Sequence, residues 1–356
     1  MSVEFFDDDD RSVLVTDEEL RQIIEKLRVK IKVFGAGGAG SNTVDRLFND
    51  NLTGVELIAA NTDARHLLRK KAHHKIILGK NLTRGLGSGA NPQIGEQAAR
   101  EADAEIMKYI SGADIVFVAA GLGGGTGTGS APYIASRARE AGALAISVVT
   151  LPFSSEGAVR MNNAKWGLTK LLSASDCVLV IPNDSLASVS PDTELDKAFR
   201  FVDEVIERTI KGISELVTKP GVINLDFNDL KTVVRDSGLA MVGIGQATGE
   251  PGDRIRQAIE AAFNFPYLKV DMKTATGVII NVTGGLDMIL EEVNATAEEV
   301  RKKVGKGTRI ILGATLDKEM NGKIQVLIVA TGVTSPLLAE MNITPNSKGP
   351  GLDFIN

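Results

Sequence analysis

The sequence predicts an α/β protein with a mostly parallel sheet, followed by a long central helix and a smaller α+β unit. Two observations support this fold class. Apolar runs such as "KIKVF", "DIVFVAAG" and "CVLVIPND" alternate with helical patterns in the first half of the chain, which is typical of parallel strands covered by helices on both faces. Residues 194–218 then carry apolar positions at helical spacing and end at "KPG", which is a strong helix stop.

The remaining elements follow in chain order. Residues 16–28, "TDEELRQIIEKLR", have a Thr N-cap followed by Glu19 and an apolar stripe, so they predict a short leading helix. Strands are also expected at "VELIAANTD", "KIILG" and "ALAISVVTLP". Beyond the central helix, the strand-like runs are "LAMVGIG", "TGVIINVTG", "RIILGATLD" and "IQVLIVATGV", with helices at 251–263 and 290–303. The last stretch is polar and rich in turn-forming residues, so we expect a flexible tail.

The composition excludes several classes of protein. The chain has 356 residues, 43% hydrophobic and 24% charged, which is ordinary for a soluble globular protein and long enough for two domains. A net charge of −5 argues against a nucleic-acid partner. Cys177 is the single cysteine, which excludes an internal disulfide and fits a reducing compartment; its apolar surroundings predict a core residue rather than a nucleophile.

Neither targeting nor membrane insertion is expected. No apolar run approaches the ~20 residues that a membrane span needs, and the acidic start, "MSVEFFDDDDRS", does not resemble a signal or transit peptide. Four consecutive aspartates, Asp7–Asp10, could bind a metal ion, but adjacent like charges favour a solvated arm.

Three glycine-rich segments predict a phosphate-binding site. They are "GAGGAG" (35–40), "RGLGSGANP" (84–92) and "GLGGGTGTG" (121–129), of which the first and third directly follow apolar strands. A loop that wraps phosphates presents backbone N–H groups and needs positions without a Cβ, and a helix that starts after it adds its N-terminal dipole. Hydroxyls of Thr126, Thr128 and Ser130 could add donors.

The first of these segments also allows a second interpretation. "GAGGAG" fits G-x-G-x-x-G, the dinucleotide fingerprint, with Asp63 near the end of a second strand. An oxidoreductase that binds NAD(H) is therefore an alternative, although the three histidines, His66, His73 and His74, lie in a basic stretch without the spacing of a catalytic or metal site. The chain has no G-x-x-x-x-G-K-[ST], so an ordinary P-loop is absent.

Five motifs together resemble the tubulin/FtsZ family, and within it FtsZ, the prokaryotic tubulin homologues that form the division ring. They are "GAGGAGSN", "NTDA", "GLGGGTGTGSAP", "LPFSSEGAVRMNNA" and "NLDFNDLKTVV", in family order between about residue 30 and residue 334. The resemblance implies a Rossmann-like GTPase domain (30–193) after an acidic arm and short helix (1–29). It further implies a central helix (194–220), a C-terminal α+β domain with a catalytic loop (221–335) and a tail (336–356).

The resemblance also implies which residues bind GTP or GDP, with Mg²⁺ beside the phosphates and no dedicated protein cage for the metal. Those expected around the phosphates and ribose are Gly35, Gly37, Gly38, Ala39, Gly40, Asn61, Asp63, Gly87, Gly89, Asn91, Gly121, Gly123, Gly124, Gly125, Thr126, Gly127, Thr128, Gly129, Glu156, Arg160 and Asn163. On residues alone, Glu156 and Arg160 would be an ordinary i,i+4 ion pair. The family usually has glycine where this chain has Ala90.

For the guanine base, the resemblance points to Phe199, Asp203 and Asn42. Phe199 and Asp203 are four residues apart on the central helix and share a face. A ring can stack on a purine, and a carboxylate can accept from guanine N1–H and the 2-amino group together, a donor pair that adenine lacks. Many family members have Asn at position 203 and Asp at position 204, so Glu204 could share this role.

The catalytic residues implied by the family are Asn224, Asp226 and Asp229, in a loop that enters the nucleotide site of the next subunit and positions the attacking water. On residues alone, Asp226 or Asn228 is equally a helix N-cap. A site split between subunits predicts head-to-tail filaments. The alternative is an assembly or membrane-adaptor protein that binds GTP without hydrolysing it.

The expected partners are further copies of the chain and membrane-anchoring or regulatory division proteins, with neither nucleic acid nor direct membrane insertion. Residues 351–356, "GLDFIN", have the apolar and acidic character of a docking peptide, although a disordered stub would look the same. The location implied by the family is cytoplasmic, at the mid-cell division ring.

Overall fold

The computed structural model describes residues 28–187, 195–218, 223, 225–267, 270–341 and 343. Its ten strands are β1 (Ile31–Ala36), β2 (Val55–Asn61), β3 (His74–Ile77), β4 (Ile115–Gly121), β5 (Leu144–Leu151), β6 (Cys177–Pro182), β7 (Gly238–Thr248), β8 (Gly277–Gly284), β9 (Arg309–Leu316) and β10 (Lys323–Thr331).

The helices within these described ranges, in chain order, are α1 (Gly37–Asn49), α2 (Ala64–Leu68), α3 (Pro92–Glu101), α4 (Asp103–Ile110), α5 (Thr126–Glu140), α6 (Ala158–Ala174), α7 (Asp184–Ala187), α8 (Leu195–Thr218), α9 (Phe227–Val234), α10 (Asp253–Phe263), α11 (Leu290–Lys303) and α12 (Pro336–Glu340). The leading helix expected at 16–28 lies almost entirely outside the described residues. The central helix, α8, is present over 24 residues.

All ten strands form one sheet in the order β3-β2-β1-β4-β5-β6-β7-β10-β8-β9. Strands β1 to β6 pair in parallel, and β7 joins β6 in parallel through three residue pairs. β10 is antiparallel to both of its neighbours. The expected α/β fold with a second, smaller α+β unit is therefore confirmed.

Two apolar layers cover the two faces of this sheet. Successive residues of β1 show the alternation, since Val33 packs into one layer and Phe34 into the other. The first layer includes residues of α3, α5, α6, α10 and α11. The second includes residues of α1, α8 and α9, and the apolar stripe of α8 lies in it. α8 is thereby fixed lengthwise against the sheet.

The stretch expected to be a flexible tail begins with packed residues. α12 occupies Pro336–Glu340, and Met341 and Ile343 are buried in the core, with 8% and 6% of their surface exposed. The docking peptide proposed at 351–356 lies outside the described residues, as does the acidic arm.

Candidate functional site

A cleft of about 420 Å³ opens at the carboxyl ends of the parallel strands. It is lined by residues that directly follow β1, β2 and β6 and by residues at the ends of β4 and β5. These are Gly38, Ala39, Thr62, Asp63, Gly121, Thr150 and Asn183. The carboxyl edge of a parallel sheet is the usual position of ligands in such folds, so the sheet topology positions these groups.

Two helix N-termini meet in this cleft, and neither has a side-chain cap. α1 begins at Gly37 after Ala36, and α5 begins at Thr126 after Gly125, in both cases without a side-chain hydrogen bond to the first turn. The first N–H groups of a helix have no partner within the helix, and the helix dipole favours negative charge there. Together the two termini form a site for an anion such as a phosphate chain.

The glycines of the two strand-to-helix segments fall into two groups. Packing explains the first, because a Cβ on Gly129 would lie 1.9 Å from the Pro92 carbonyl oxygen and one on Gly40 would lie 2.1 Å from the Ala119 oxygen. Gly38 and Gly124 line the cleft, yet a Cβ on either would meet nothing within 4 Å. Neither packing nor a positive φ explains these two glycines, and without a Cβ the backbone there is open to close approach by a ligand.

The threonine hydroxyls of "GGGTGTG" form hydrogen bonds within the protein. Thr126 Oγ1 shares hydrogen bonds with the hydroxyls of Thr62, at 2.6 Å, and Ser88, at 3.0 Å. Thr128 Oγ1 accepts from the backbone N–H of Gly123 at 2.9 Å, and Ser130 donates to the Thr126 carbonyl oxygen at 2.7 Å. The hydroxyls therefore hold the loops together, and the sequence did not indicate that α5 already begins at Thr126.

The segment after residue 86 approaches the cleft in a left-handed backbone conformation. Gly87, Gly89 and Ala90 have φ values of +89°, +59° and +58°. Ala90 is strained because a Cβ disfavours this region, and this is the position where the family usually has glycine. Asn163 holds the segment in place by donating to the carbonyl oxygens of Ala90, at 3.1 Å, and Gly123, at 3.2 Å.

At the other end of the cleft lie an ion pair and an aromatic ring. Glu156 pairs with Arg160 and also accepts from the backbone N–H of Phe153 at 2.9 Å. The ring of Phe153 contacts Phe199 edge to face, with 5.5 Å between centroids. Phe199 is 41% exposed and lines the cleft, so one face of its ring can stack on a planar ligand.

Asp203 faces the cleft, whereas Glu204 faces away from it. Asp203 lies one turn beyond Phe199, and its carboxylate is 3.5 Å from Arg46 Nε on α1. Glu204 pairs with Arg208 at 2.5 Å on another side of α8. Burial raises the pKa of Asp203 to about 6, while the positive charges of Arg46 and Lys70 oppose this shift.

Two buried amide oxygens near the cleft have no hydrogen-bond partner among the described residues: Asn42 Oδ1 and Asn183 Oδ1. An unpaired buried polar atom costs about 1–3 kcal/mol, so both oxygens are suited to accept a hydrogen bond from a ligand or a water. Asn183 lines the cleft directly.

The cleft brings together most, though not all, of the residues that the sequence indicated. Those that line it are Gly38, Ala39, Asn61, Asp63, Gly87, Gly89, Gly121, Gly124, Gly125, Thr126, Gly127, Glu156, Arg160, Phe199 and Asp203. Those that support it from behind or nearby are Gly35, Gly37, Gly40, Asn42, Asn91, Gly123, Thr128, Gly129 and Asn163. Asn91, for example, caps α3 by accepting from Gln93 N–H at 2.9 Å.

Several lining residues were missed by the sequence analysis, among them His66, Thr150, Asn183 and Val202. His66 could have been predicted from the sequence, because it lies only three residues beyond Asp63. In the structure, Asp63 caps α2 by accepting from the His66 N–H at 2.9 Å. Burial, followed by the charge of Lys70, lowers the pKa of His66, so it is neutral at neutral pH.

The two candidate catalytic carboxylates lie at the other edge of the sheet. α8 leaves the cleft at Asp203 and ends at Thr218, whose side chain lies beside Gly54 at the amino end of β2. The fifteen residues of α8 between these two positions span roughly 22 Å, from one edge of the sheet to the other. The far end of α9 is anchored there too, because Arg235 lies 4.0 Å from Asp176, just before β6.

Asp226 and Asp229 begin α9 near this amino edge, and both are exposed. Asp226 caps the helix by accepting from Asn228 N–H at 3.1 Å, as the simpler interpretation predicted. Asn224 lies outside the described residues. One chain therefore does not bring these carboxylates to its own cleft.

The described residues contain no group of three or more His, Cys, Asp or Glu side chains that could hold a metal ion. They do fit Mg²⁺ that arrives with phosphates, since such an ion needs only one or two protein oxygens and keeps several waters. Within the described ranges we also find no helix whose length and apolar content would let it cross a membrane.

Comparisons with known proteins agree with this geometry. The chain is 48% identical to Cell division protein FtsZ 1 of Archaeoglobus fulgidus, over 95% of this chain and 92% of that one. It is 46% identical to Cell division protein FtsZ of Haloferax mediterranei, over 97% and 91%. It also superimposes on an empty FtsZ dimer from M. jannaschii with a TM-score of 0.84 and 46% identity, covering 89% of this chain and 92% of that one.

Two family models also match, and together they span most of the chain. The GTPase domain of the Tubulin/FtsZ family matches residues 30–191, and the C-terminal domain of the FtsZ family matches residues 238–334. The first match contains the whole cleft except its side on α8, and the second begins at β7. The chain belongs to the tubulin/FtsZ family, with a GTPase domain that binds GTP and GDP followed by an FtsZ-type C-terminal domain.

Proposed function

We propose that this protein is a self-assembling cell-division GTPase. It polymerises head to tail into the filaments of the division ring and hydrolyses GTP to GDP and phosphate at a site shared between adjacent subunits. The observation that supports the shared site is the separation described above: the cleft lies at the carboxyl edge of the sheet, and Asp226 and Asp229 lie near the amino edge. A second copy that docks its amino edge on the cleft completes the site.

The rim of the cleft is suited to such a contact. Leu86, next to Gly87, and Val159, next to Arg160, are 82% and 73% exposed, and Leu68 on α2 is 79% exposed. Large apolar side chains grouped around a polar cleft are typical of a protein interface. A contact between two different surfaces of the same chain does not close on itself, so it extends into a filament.

Each part of the cleft then has a role in catalysis. The N-termini of α1 and α5 hold the phosphate chain through backbone N–H groups, Phe199 stacks on the base, and Asp203 accepts from guanine. When bound, Mg²⁺ would neutralise phosphate charge, and Asn61 and Asp63, which line the cleft, would offer it oxygen ligands. Asp226 and Asp229 of the neighbouring subunit orient the attacking water and accept its proton.

The test is GTP hydrolysis per subunit over a range of protein concentrations with Mg²⁺ present. A shared site predicts almost no turnover at low concentration and a steep rise above a threshold. A constant rate per subunit would mean that the site is complete within one chain and would overturn the proposal. Absence of hydrolysis at every concentration would favour the non-catalytic alternative.

The matched variants are Asp226→Asn and Asp271→Asn. Asparagine is as good an N-cap as aspartate, so Asp226→Asn keeps the α9 cap and removes only the negative charge. Loss of a general base costs about 10²–10⁴-fold, so we expect GTP binding and filaments with at least a hundredfold slower turnover. Asp271 makes the same type of cap to Lys273 N–H, at 3.0 Å, in the C-terminal unit, and Asp271→Asn should hydrolyse normally.

We further infer that residues 351–356 dock on membrane-anchoring division proteins and that the protein is cytoplasmic, at the mid-cell ring. The support is the apolar and acidic sequence "GLDFIN". Deleting these six residues should abolish binding to the anchor and leave GTP turnover unchanged. Localisation of a fluorescent fusion to the division site, lost on the same deletion, would support this part of the proposal; unchanged binding would overturn it.

A further inference from the structure

The side chain that holds Asp203 in the cleft comes from another helix. Arg46 lies on α1, four residues beyond Asn42, and its Nε is 3.5 Å from Asp203 Oδ2. Asp203 lines the cleft, while Arg46 does not. The side chains are 33% and 18% exposed, respectively, so the pair is partly shielded from water. Arg46 therefore contacts the Asp203 carboxylate from α1, without itself lining the cleft.

We propose that Arg46 is a positioning residue for guanine recognition: it keeps the Asp203 carboxylate ionised and oriented so that it accepts from both guanine N1–H and the 2-amino group. This inference rests on the proposed contact between Asp203 and the base. Only the ionised carboxylate offers two acceptor oxygens, because a protonated carboxyl turns one oxygen into a donor. A donor facing the guanine N–H groups would repel the base.

The charged groups around Asp203 show why Arg46 is important for its ionised form. Arg46 on α1 and Lys70, after α2, are the two positive groups that favour its ionised form, against a burial that disfavours it. Lys70 is also shared, since its Nζ lies 3.7 Å from Asp45. Glu207, one turn further along α8, is a half-buried acid that shares the influence of Arg46 and is hydrogen-bonded to Asp50. Arg46 is thus the main counter-charge of Asp203, and its removal shifts the pKa of Asp203 upward from about 6, toward neutral pH.

The experiment compares the affinities of GTP and inosine triphosphate, which lacks the 2-amino group, for wild type, Arg46→Gln and Arg46→Lys between about pH 6 and about pH 8. Hydrogen bonds to charged groups are worth about 1.5–3 kcal/mol, or about tenfold or more in affinity. That factor is reached only when the carboxyl is fully protonated. We therefore expect Arg46→Gln to weaken GTP severalfold between about pH 6 and about pH 7, to recover toward pH 8, and to lose much of the preference for GTP. Arg46→Lys should keep most of the wild-type behaviour.

Two further variants separate positioning from structure. Asp203→Asn cannot titrate, so its affinity for GTP should not depend on pH in this range, and adding Arg46→Gln to it should change little. Asn49→Ala is the control on α1, since Asn49 contacts Lys71 at 3.0 Å and not Asp203. It should bind GTP normally.

Four outcomes would overturn the inference. Equal weakening by Arg46→Gln at every pH and for both nucleotides would mean that Arg46 only stabilises the fold. The same weakening in the Asp203→Asn background would mean that it acts elsewhere. Normal binding by Arg46→Gln while Asp203→Asn is impaired would refute this inference alone, whereas normal binding by Asp203→Ala, which has no side-chain acceptor, would refute the contact with the base as well.

Discussion

The two groups of glycines in the cleft predict opposite effects of adding one methyl group. In Gly129→Ala, the new Cβ would lie 1.9 Å from the Pro92 carbonyl oxygen and 2.6 Å from the Glu96 nitrogen. Normal contacts begin near about 3.5 Å, and both of these neighbours are backbone atoms of α3, which cannot rotate aside. The packing of α5 against α3 must open by more than 1 Å, by this arithmetic.

Such overpacking costs about 1–3 kcal/mol or more, so we expect Gly129→Ala to melt several degrees below the wild type. In Gly124→Ala, nothing lies within 4 Å of the added Cβ. Its stability should stay within about 0.5 kcal/mol of wild type. Because Gly124 lines the cleft, its affinity for GTP should fall at least tenfold, or about 1.4 kcal/mol.

Thermal unfolding with and without GTP distinguishes the two effects. A ligand that binds only the folded state raises the melting temperature, and at a fixed ligand concentration the increase grows with the logarithm of its affinity. Gly129→Ala should melt early and still be stabilised by GTP, while Gly124→Ala should melt normally and gain little from GTP. If Gly124→Ala were stabilised as strongly as wild type, the argument that an open glycine marks close backbone approach by the ligand would be wrong.

Three more variants test other features of the fold. Ala90→Gly should relieve the positive φ and stabilise the protein by up to about 1 kcal/mol in thermal unfolding, since left-handed strain of about 1–2 kcal/mol exceeds the entropy cost of glycine. Burial and the hydrogen bond to Asp50 raise the pKa of Glu207 to about 8, so the folded state retains a proton that the unfolded state has released. The free energy of unfolding therefore falls as the pH rises toward 8. Glu207→Gln should reduce this pH dependence in denaturation curves. Glu292 is fully buried and receives two hydrogen bonds from Arg254, at 2.7 and 2.9 Å. Glu292→Ala should therefore lower the free energy of unfolding by about 3–5 kcal/mol in chemical denaturation. A smaller loss would mean that Asp287 alone can balance the charge of Arg254.

The order and type of the main elements could be predicted because their signals are local. The apolar runs of β1, β4 and β6 and the helical stripe of α8 each lie within one short stretch of sequence. The boundary at Thr126 could not be predicted in this way. Glycine and threonine disfavour a helix interior, but here Gly127 and Gly129 let α5 pack directly on neighbouring backbone, so tertiary contact overrides propensity.

The residues of the candidate site likewise divide into those that the sequence indicated and those that only distant contacts reveal. Motif spacing indicated the glycine segments, because residues at the ends of parallel strands meet at one edge of the sheet, whereas Glu156 was indicated only by the family resemblance. Asn183 follows β6 in the same way, yet the sequence offered no motif around it. Its role is visible only from its burial and its unpaired oxygen, both of which depend on groups far away in the chain.

The choice between two adjacent acids shows how such distant groups assign a role. Helical periodicity separates Asp203 and Glu204 by about 100°, but it does not say which of them faces the ligand. The contact with Arg46, 157 positions earlier along the chain than Asp203, places Asp203 on the side of α1 and the cleft. Glu204 instead forms an ion pair with Arg208 on its own helix. Because Glu204 does not line the cleft, an acid at position 204 could take over base recognition only if α8 were turned about its axis by about that angle.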